Sequence, residues 1–441
     1  MKQRSLGRRG FLKAATLGLA GVGTILSAKP SPAGQAERTA SAGIKSYRVL
    51  GRTGFMVSDI GIGTSQTFPP AVMSAALDAG VNYIDTAEGY GRGAAERSIG
   101  EAIRGRDRKS LFITTKIRMT DVSSVEQVAE KVRQCLERLQ TDTIDCLMIQ
   151  GGSTVDELKN DVFHRGTDLL KKEGRVRFLG AANHGSRVQG QGEPMEKVLL
   201  GAVEDGRFDV LLLVYNFLQK EAGEQILEAA SKKNVAATIM KSNPLGRYFE
   251  MKDRVERLIS EGQEVDERTR QSLAQLEETA KRAESFLQNN NLKNPGEIKA
   301  AALKFVLHNP LVHTLNLAFN SFEDVENSLK VSGSGLLPTE RSLLSSYAQE
   351  CGRLYCRQAC GLCEPHCPSG VLVNTIMRYS RYFDAPGGEK FAMEKYAGLK
   401  APRADACRDC PGWCEQACPY QVPVRGLLKL ADAQLTLKAL P

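Results

Sequence analysis

Short apolar runs alternate with amphipathic stretches along most of this chain, and the alternation is regular enough to fix a fold class. Runs rich in β-branched and aliphatic residues predict strands at 59–63, 81–85, 111–115, 144–149, 176–181, 208–214, 235–240 and 312–317. Apolar positions at helical spacing predict helices near 70–79, 94–104, 123–139, 155–173, 194–205, 222–233, 297–308 and 321–331. Eight strand-helix units in series argue for an α/β fold, a (β/α)8 TIM barrel, whose chemistry sits at the C-terminal ends of the strands. A doubly wound sheet would want fewer units and a glycine-rich phosphate turn after the first strand, and Gly61-Ile62-Gly63 is too short to be one.

Two stretches stand outside that rhythm. Residues 47–58 read as a hairpin with Arg52-Thr53-Gly54 at its turn. Residues 245–296 interrupt the last two units with a charged, helical insertion, in which Leu258, Leu273, Leu276 and Ala280 form an apolar stripe. A lid, a subunit contact and a solvated helical excursion all fit it. The barrel with its insertion takes residues 43–335 and leaves 336–441 as a second domain that carries most of the cysteines.

Charge changes the picture at one end only. Residues 1–42 hold seven Lys or Arg against one Glu, so they carry most of the net charge of +8. What remains is nearly neutral, and no nucleic-acid partner is expected. Arg8-Arg9-Gly10-Phe11-Leu12-Lys13 precedes a mildly apolar run from Ala14 to Ala28 and resembles a twin-arginine export signal, with Gly7 where Ser or Thr is usual. Ala40-Ser41-Ala42 fits a small-x-small cleavage site, with Ala36 and Ala28 as alternatives. The expected partner is the twin-arginine translocase and the expected location the periplasm, free or membrane-associated.

The candidate chemistry begins with Gly80-Val81-Asn82-Tyr83-Ile84-Asp85-Thr86-Ala87-Glu88-Gly89-Tyr90, an apolar strand that ends in a polar turn. The next strand ends in Lys116. A cation beside a phenol favours phenolate, so Lys116 is expected to lower the pKa of Tyr90 while Asp85 holds and neutralises the lysine. At these residues the chain resembles the aldo/keto reductases, whose Asp, Tyr and Lys map onto Asp85, Tyr90 and Lys116. The resemblance implies carbonyl–alcohol chemistry with Tyr90 as general acid and base on a small substrate. It also implies that Gln150 stands in the place of the family's histidine; an amide can orient a carbonyl oxygen but cannot carry a proton.

The same resemblance implies a nicotinamide site, NADP(H) or NAD(H), with departures. Asn183 is retained where the family has Ser-Asn, with Ala182 for the serine, and Tyr215 is the aromatic that stacks under nicotinamide. Leu212 stands where a glutamine would bind the carboxamide. Met240-Lys241-Ser242-Asn243-Pro244-Leu245-Gly246 looks like the family's pyrophosphate loop, with Lys241 and Leu245 as contacts. Asn320 and Asn327 belong to the adenine end, where Ser328 occupies the usual asparagine position unless Asn327 serves after a slip of one residue.

The cysteines carry the strongest pattern. Cys356-x3-Cys360-x2-Cys363-x3-Cys367-Pro368 is followed by Cys407-x2-Cys410-x3-Cys414-x3-Cys418-Pro419. The two runs resemble a small ferredoxin-like domain with two [4Fe–4S] clusters, in which the fourth Cys of each run serves the other cluster. That pattern implies Cys356, Cys360, Cys363 and Cys418 for one cluster and Cys407, Cys410, Cys414 and Cys367 for the other, with Cys351 as a competing ligand. Zinc also takes four thiolates, but the paired Cys-Pro endings favour iron, and the close spacings are poor for several disulfides at once. Cys135 and Cys146 read as core residues, and His366 as a loop residue or a hydrogen-bond donor to a cluster. Trp413, Tyr379, Tyr382 and Phe383 are expected to pack this module against the barrel. Iron–sulfur-containing members of the aldo/keto reductase group share the arrangement, so the resemblance implies an exported oxidoreductase whose clusters serve a redox partner protein or a membrane electron carrier. Clusters pass electrons one at a time, so hydride chemistry would need a nicotinamide or another two-electron carrier to connect them. Two rival readings remain: an electron-transfer or maturation protein whose barrel has lost its cofactor, and a conventional NADPH reductase with purely structural clusters.

Overall fold

The computed structural model describes residues 43–65, 69–120, 122–184, 192–245, 255–256, 258, 260, 267–358, 360–384, 388–407 and 410–436. The expected leader and its cleavage sites, Gly246 and part of the insertion lie outside them. A short antiparallel hairpin, β1 (Tyr47–Val49) and β2 (Met56–Ser58), precedes eight parallel strands. These are β3 (Ile60–Gly63), β4 (Tyr83–Asp85), β5 (Phe112–Ile117), β6 (Ile144–Ile149), β7 (Val176–Ala182), β8 (Val210–Val214), β9 (Ala236–Met240) and β10 (Thr314–Leu317). They close in sequence order, with β10 pairing both β9 and β3.

The strands are buried almost throughout because helices cover their outer face and side chains fill the barrel. Outward residues such as Ile62, Ile84, Ile113, Leu147 and Leu211 meet the helices, while Tyr83, Phe112, Cys146, Met148 and Leu212 fill the interior. Tyr83 stacks on Phe112 at 5.6 Å, and Leu50 and Val57 of the hairpin plug the same interior cluster from below. The helix expected over 155–173 is broken into Val155–Leu158 and Asp161–Lys172, because Asn160 caps the second piece by accepting from the Phe163 amide at 2.9 Å.

The insertion contributes a long helix, Glu267–Asn289, and a second core explains its apolar stripe. Leu258, Leu273, Leu276 and Ala280 are all buried with Tyr347, Val424, Leu428 and Ala431. The partners come from the cysteine segment, so this helix is a bed for that segment rather than a solvated excursion. Among the described residues the segment after 336 is helical, with helices Pro338–Cys351, Val373–Phe383, Glu389–Ala397 and Val424–Leu435 and no strand. No helix among the described residues is long and apolar enough to cross a membrane.

The crossing of Glu267–Asn289 and Val424–Leu435 is tight at Gly426. A Cβ there would lie 2.7 Å from the Leu276 side chain and 3.0 Å from the Ser272 backbone. Gly426→Ala should therefore destabilise the protein by about 1–3 kcal/mol through overpacking. Denaturant titration measures this, and an unchanged midpoint would mean that the two helices do not cross there.

Candidate active site and cysteine centres

Inward alternation on two neighbouring strands brings Asp85 and Lys116 together. Asp85 pairs in register with Thr114, and Lys116 lies one inward step further along β5. The Lys116 ammonium donates to Asp85 Oδ1 at 2.6 Å and to the Thr86 carbonyl at 2.8 Å, with both side chains almost fully buried. Strand-like pairing then continues past β4, with Glu88 N donating to the Lys116 carbonyl at 2.9 Å. Gly91 and Arg92 take left-handed backbone and turn the chain into helix Ala94–Ile103, which leaves Tyr90 beside the pair. Lys116 Nζ stands 5.4 Å from the centre of the Tyr90 ring.

The expected acidified phenol is not what this geometry gives. Burial holds the Tyr90 phenol well above its ordinary range, Asp85 and Tyr382 add to that, and Arg118 opposes it. Burial is the main reason, and Asp85, which meets Lys116 at contact distance, adds its own negative charge beside the phenol. Tyr90 is thereby kept in its proton-bearing form. Burial likewise raises the Asp85 carboxyl, with Lys116 pulling it back. Asp85→Ala would leave a buried ammonium without its counter-ion and should cost about 3–5 kcal/mol in a denaturant titration. A loss below about 1 kcal/mol would show that the pair is solvated.

Several buried polar atoms beside this group lack a protein hydrogen-bond partner: Asp85 Oδ2, Thr86 Oγ1, Gln150 Oε1 and both amide atoms of Asn316. Such groups are costly unless something polar meets them, so they mark the floor of a ligand site. Gln150 lies against the 89–90 turn: a Cβ on Gly89 would be 2.9 Å from Gln150 Oε1 and 2.7 Å from the Arg118 guanidinium. Sequence reasoning missed Asn316, although its polar character two residues after Thr314 on a buried strand was a readable signal.

The nicotinamide contacts fare differently. Tyr215 is buried on the outer side of the barrel, where its hydroxyl accepts from Asn309 Nδ2 at 3.2 Å and its ring packs on Phe305. It is turned away from the mouth, because the alternation that puts Leu212 inward puts Tyr215 outward. Asn183 Nδ2 donates to the Gly152 carbonyl at 2.9 Å. Leu245 lies in the second core. Asn320 is exposed ahead of helix Phe322–Leu329, and Asn327 is exposed on it, donating to Glu323 and accepting from Lys330, while Ser328 is buried. Lys241 alone of this set lies among other cationic side chains, with its ammonium 5.9 Å from the Tyr382 ring centre. Arg378 and Arg381, which sequence reasoning did not single out, act on that ammonium, and His184, also missed, stands 3.0 Å from Arg378.

The thiols fall into two neighbourhoods. Cys356, Cys360, Cys363 and Cys418 line one apolar cavity together with Val373, Pro419 and Val422. Cys407 and Cys414 press electrostatically on each other and feel Cys367 and Cys410. Burial first pushes Cys407 and Cys414 up to about 12, with neighbouring thiols next for Cys407 and Glu415 and then the thiols for Cys414; burial also takes Cys356 to about 12, against Arg381. Backbone amides of Val371 and Gly412 donate to the sulfurs of Cys367 and Cys410 at 3.3 and 3.4 Å. Among the described residues no three Cys, His, Asp or Glu side chains gather closely enough for a single metal ion. Cys351 is buried in the second core, Cys135 and Cys146 in the barrel cores, and His366 is exposed. Trp413 is 46% exposed and so does not pack the module on the barrel. Helix Val373–Phe383 does so instead, through Arg378, Arg381 and Tyr382.

The model of the aldo/keto reductase family matches residues 60–341. An oxidoreductase of Bacillus subtilis strain 168, YqkF, is 31% identical over 150 residues, covering 31% of this chain and 48% of that protein. L-galactose dehydrogenase of Arabidopsis thaliana is 30% identical over 185 residues, covering 37% and 54%. The chain thus spans about half the length of these curated relatives. Among solved structures, the holo form of aldo-keto reductase AKR11C1 from Bacillus halodurans aligns with a TM-score of 0.50 at 21% identity, over 68% of this chain and 95% of that one, a likeness of fold.

Proposed function

The chain belongs to the aldo/keto reductase family, and from that premise we propose an oxidoreductase that interconverts a small carbonyl and its alcohol while electrons pass through two [4Fe–4S] clusters. The observation that carries this reading is one turn of helix Val373–Phe383 that bonds to the cysteine segment and acts electrostatically on the barrel site. Arg381 donates to the Cys356 carbonyl at 2.9 Å, and the adjacent Tyr382 lies close enough to Tyr90 to act on its phenol.

Each residue then has a task. Tyr90 holds the proton at the substrate oxygen, the Asp85–Lys116 pair fixes the tyrosine's surroundings, and the Gln150 amide orients the carbonyl. Cys356, Cys360, Cys363 and Cys418 would hold one cluster, and Cys407, Cys410, Cys414 and Cys367 the other. Four thiols around one cavity, with both runs closing in Cys-Pro, suit a polynuclear cluster better than zinc. Two clusters, each storing one electron, would hold the two electrons that reduction of a carbonyl consumes along with two protons, and a two-electron carrier would have to deliver them as a pair. Mutual repulsion of the buried thiols means that loading with iron expels their protons.

A nicotinamide dinucleotide is the family's usual partner, but the nicotinamide end does not fit here: Tyr215 faces outward, Asn183 is held by Gly152, and Ala182 and Leu212 replace polar contacts. No step is drawn through it. The twin-arginine motif in residues 1–42 supports export of the folded, cluster-loaded protein by the twin-arginine translocase to the periplasm, where a redox partner protein or membrane electron carrier exchanges electrons.

Anaerobic isolation with iron and sulfide assay, followed by mass analysis of released nucleotide, tests this reading. About eight irons per chain are expected for two four-iron clusters. No iron would remove the electron route. Iron without carbonyl turnover would favour a cluster-bearing electron-transfer protein instead.

A further inference from the structure

We propose that Lys241, Arg378 and His184, grouped beside Tyr382, form a subsite for an anionic group of the substrate, a carboxylate or a phosphate on the molecule whose carbonyl meets Tyr90. The inference rests on the function proposed above and names its substrate class.

Five elements bring these residues together. Lys116 comes from β5 and is paired with Asp85; His184 follows β7; Lys241 follows β9; Arg378, Arg381 and Tyr382 come from helix Val373–Phe383; Tyr90 comes from the loop after β4. Arg378 Nη1 stands 3.0 Å from His184 Nδ1. Arg378, Lys241 and, more weakly, Lys116 all act on the His184 ring, so the histidine is within electrostatic reach of both lysines. Lys241 stands 5.9 Å from the Tyr382 ring centre, and Tyr382 in turn acts electrostatically on Tyr90.

The lysine is built in, not trailing in solvent. Lys241 takes left-handed backbone at φ 60°, unusual for a non-glycine residue, and Asn216 Nδ2 holds its carbonyl at 3.0 Å. It takes part in no ion pair among the described residues, and buried cations without counter-charge are costly. Burial, then Arg381 and Arg378, bring its ammonium down to about 7, while burial and the neighbouring cations keep His184 well below its ordinary value and neutral. An anion beside Lys241 would offset the cost of burying its charge and be gripped by charge-assisted bonds beside a neutral histidine. Because Lys241 loses its proton near neutrality, anion affinity should fall as pH rises from about 6 to about 8.

The test is calorimetric titration of the intact, anaerobically isolated protein with pyruvate, its neutral methyl ester, inorganic phosphate and NADPH. Pyruvate and phosphate are expected to bind and compete, and pyruvate to bind about tenfold or more tightly than the ester. Lys241→Met and Arg378→Lys should each weaken pyruvate by about tenfold and spare the ester, with iron content and unfolding midpoint confirming intact protein. Equal affinity for pyruvate and ester in all three proteins overturns the subsite. Loss of NADPH binding rather than pyruvate binding in the variants assigns the anion to a dinucleotide phosphate and overturns the substrate assignment. Turnover is scored separately: carbonyl reduction without charge-dependent binding overturns the subsite alone, and charge-dependent binding without turnover overturns the function alone.

Discussion

Replacing Cys418 by Ala should strip the same iron from the protein as replacing Cys356, although the two thiols stand in different runs of the sequence. Both line one cavity with Cys360 and Cys363, whereas Cys367 keeps company with Cys407 and Cys414. Each single variant should hold about four irons where the parent holds about eight. Double variants sharpen the contrast. Cys356→Ala with Cys418→Ala should still retain about four irons, because both losses fall on one cluster, while Cys356→Ala with Cys367→Ala should retain almost none. Iron and sulfide assays read the difference directly. The opposite ranking, with the 356/367 pair the milder loss, would mean that each run serves its own cluster. Either loss should also weaken the second core, since these thiols pack with Val371, Val373, Val424 and the insertion helix.

Tyr90→Phe should lower kcat/KM by about 10²- to 10⁴-fold with iron content unchanged, because it removes the proton held at the substrate oxygen and little else. Burial keeps that phenol protonated, and no protein group among those described competes for its hydroxyl. The fall should appear in kcat, since the missing interaction belongs to the transition state. Lys116→Met should act in the same direction but also unsettle Asp85, whose carboxylate would lose its partner at 2.6 Å. Steady-state kinetics of the two variants separates the roles. Full activity in Tyr90→Phe would remove this tyrosine from the chemistry.

The barrel was legible because each of its strands is a short, mainly apolar run, the mark of a strand buried on both faces, and because amphipathic helices separate them. Ends were harder: the run starting at Val81 becomes strand only at Tyr83, since the preceding residues complete the turn out of helix Pro70–Asp78. The residues of the site could be picked out from strand ends, but their electrostatics could not. Whether Lys116 acidifies Tyr90 depends on burial and on how closely Asp85 meets the lysine, and a separation of 2.6 Å is not written in the sequence. Tyr215 shows the reverse case, where two-residue alternation already pointed the side chain away from the mouth and the resemblance to a family motif obscured it. Arg378, Arg381 and His184 were invisible because they meet only when helix Val373–Phe383 lies on the barrel, a contact between parts nearly two hundred residues apart, |i−j| of 194 for Arg378 and His184. The insertion's apolar stripe was readable; its partner was not, for the same reason.

The central claim is that the barrel and the thiol centres exchange electrons. It is tested most directly by reducing the anaerobic protein, removing excess reductant, and following the visible absorbance of the clusters as small carbonyls, 2-oxo acids first, are added. The account predicts reoxidation of both clusters for each carbonyl converted to alcohol, and its loss in Tyr90→Phe. Clusters that stay reduced while the carbonyl is consumed, or that reoxidise equally well in Tyr90→Phe, would contradict it.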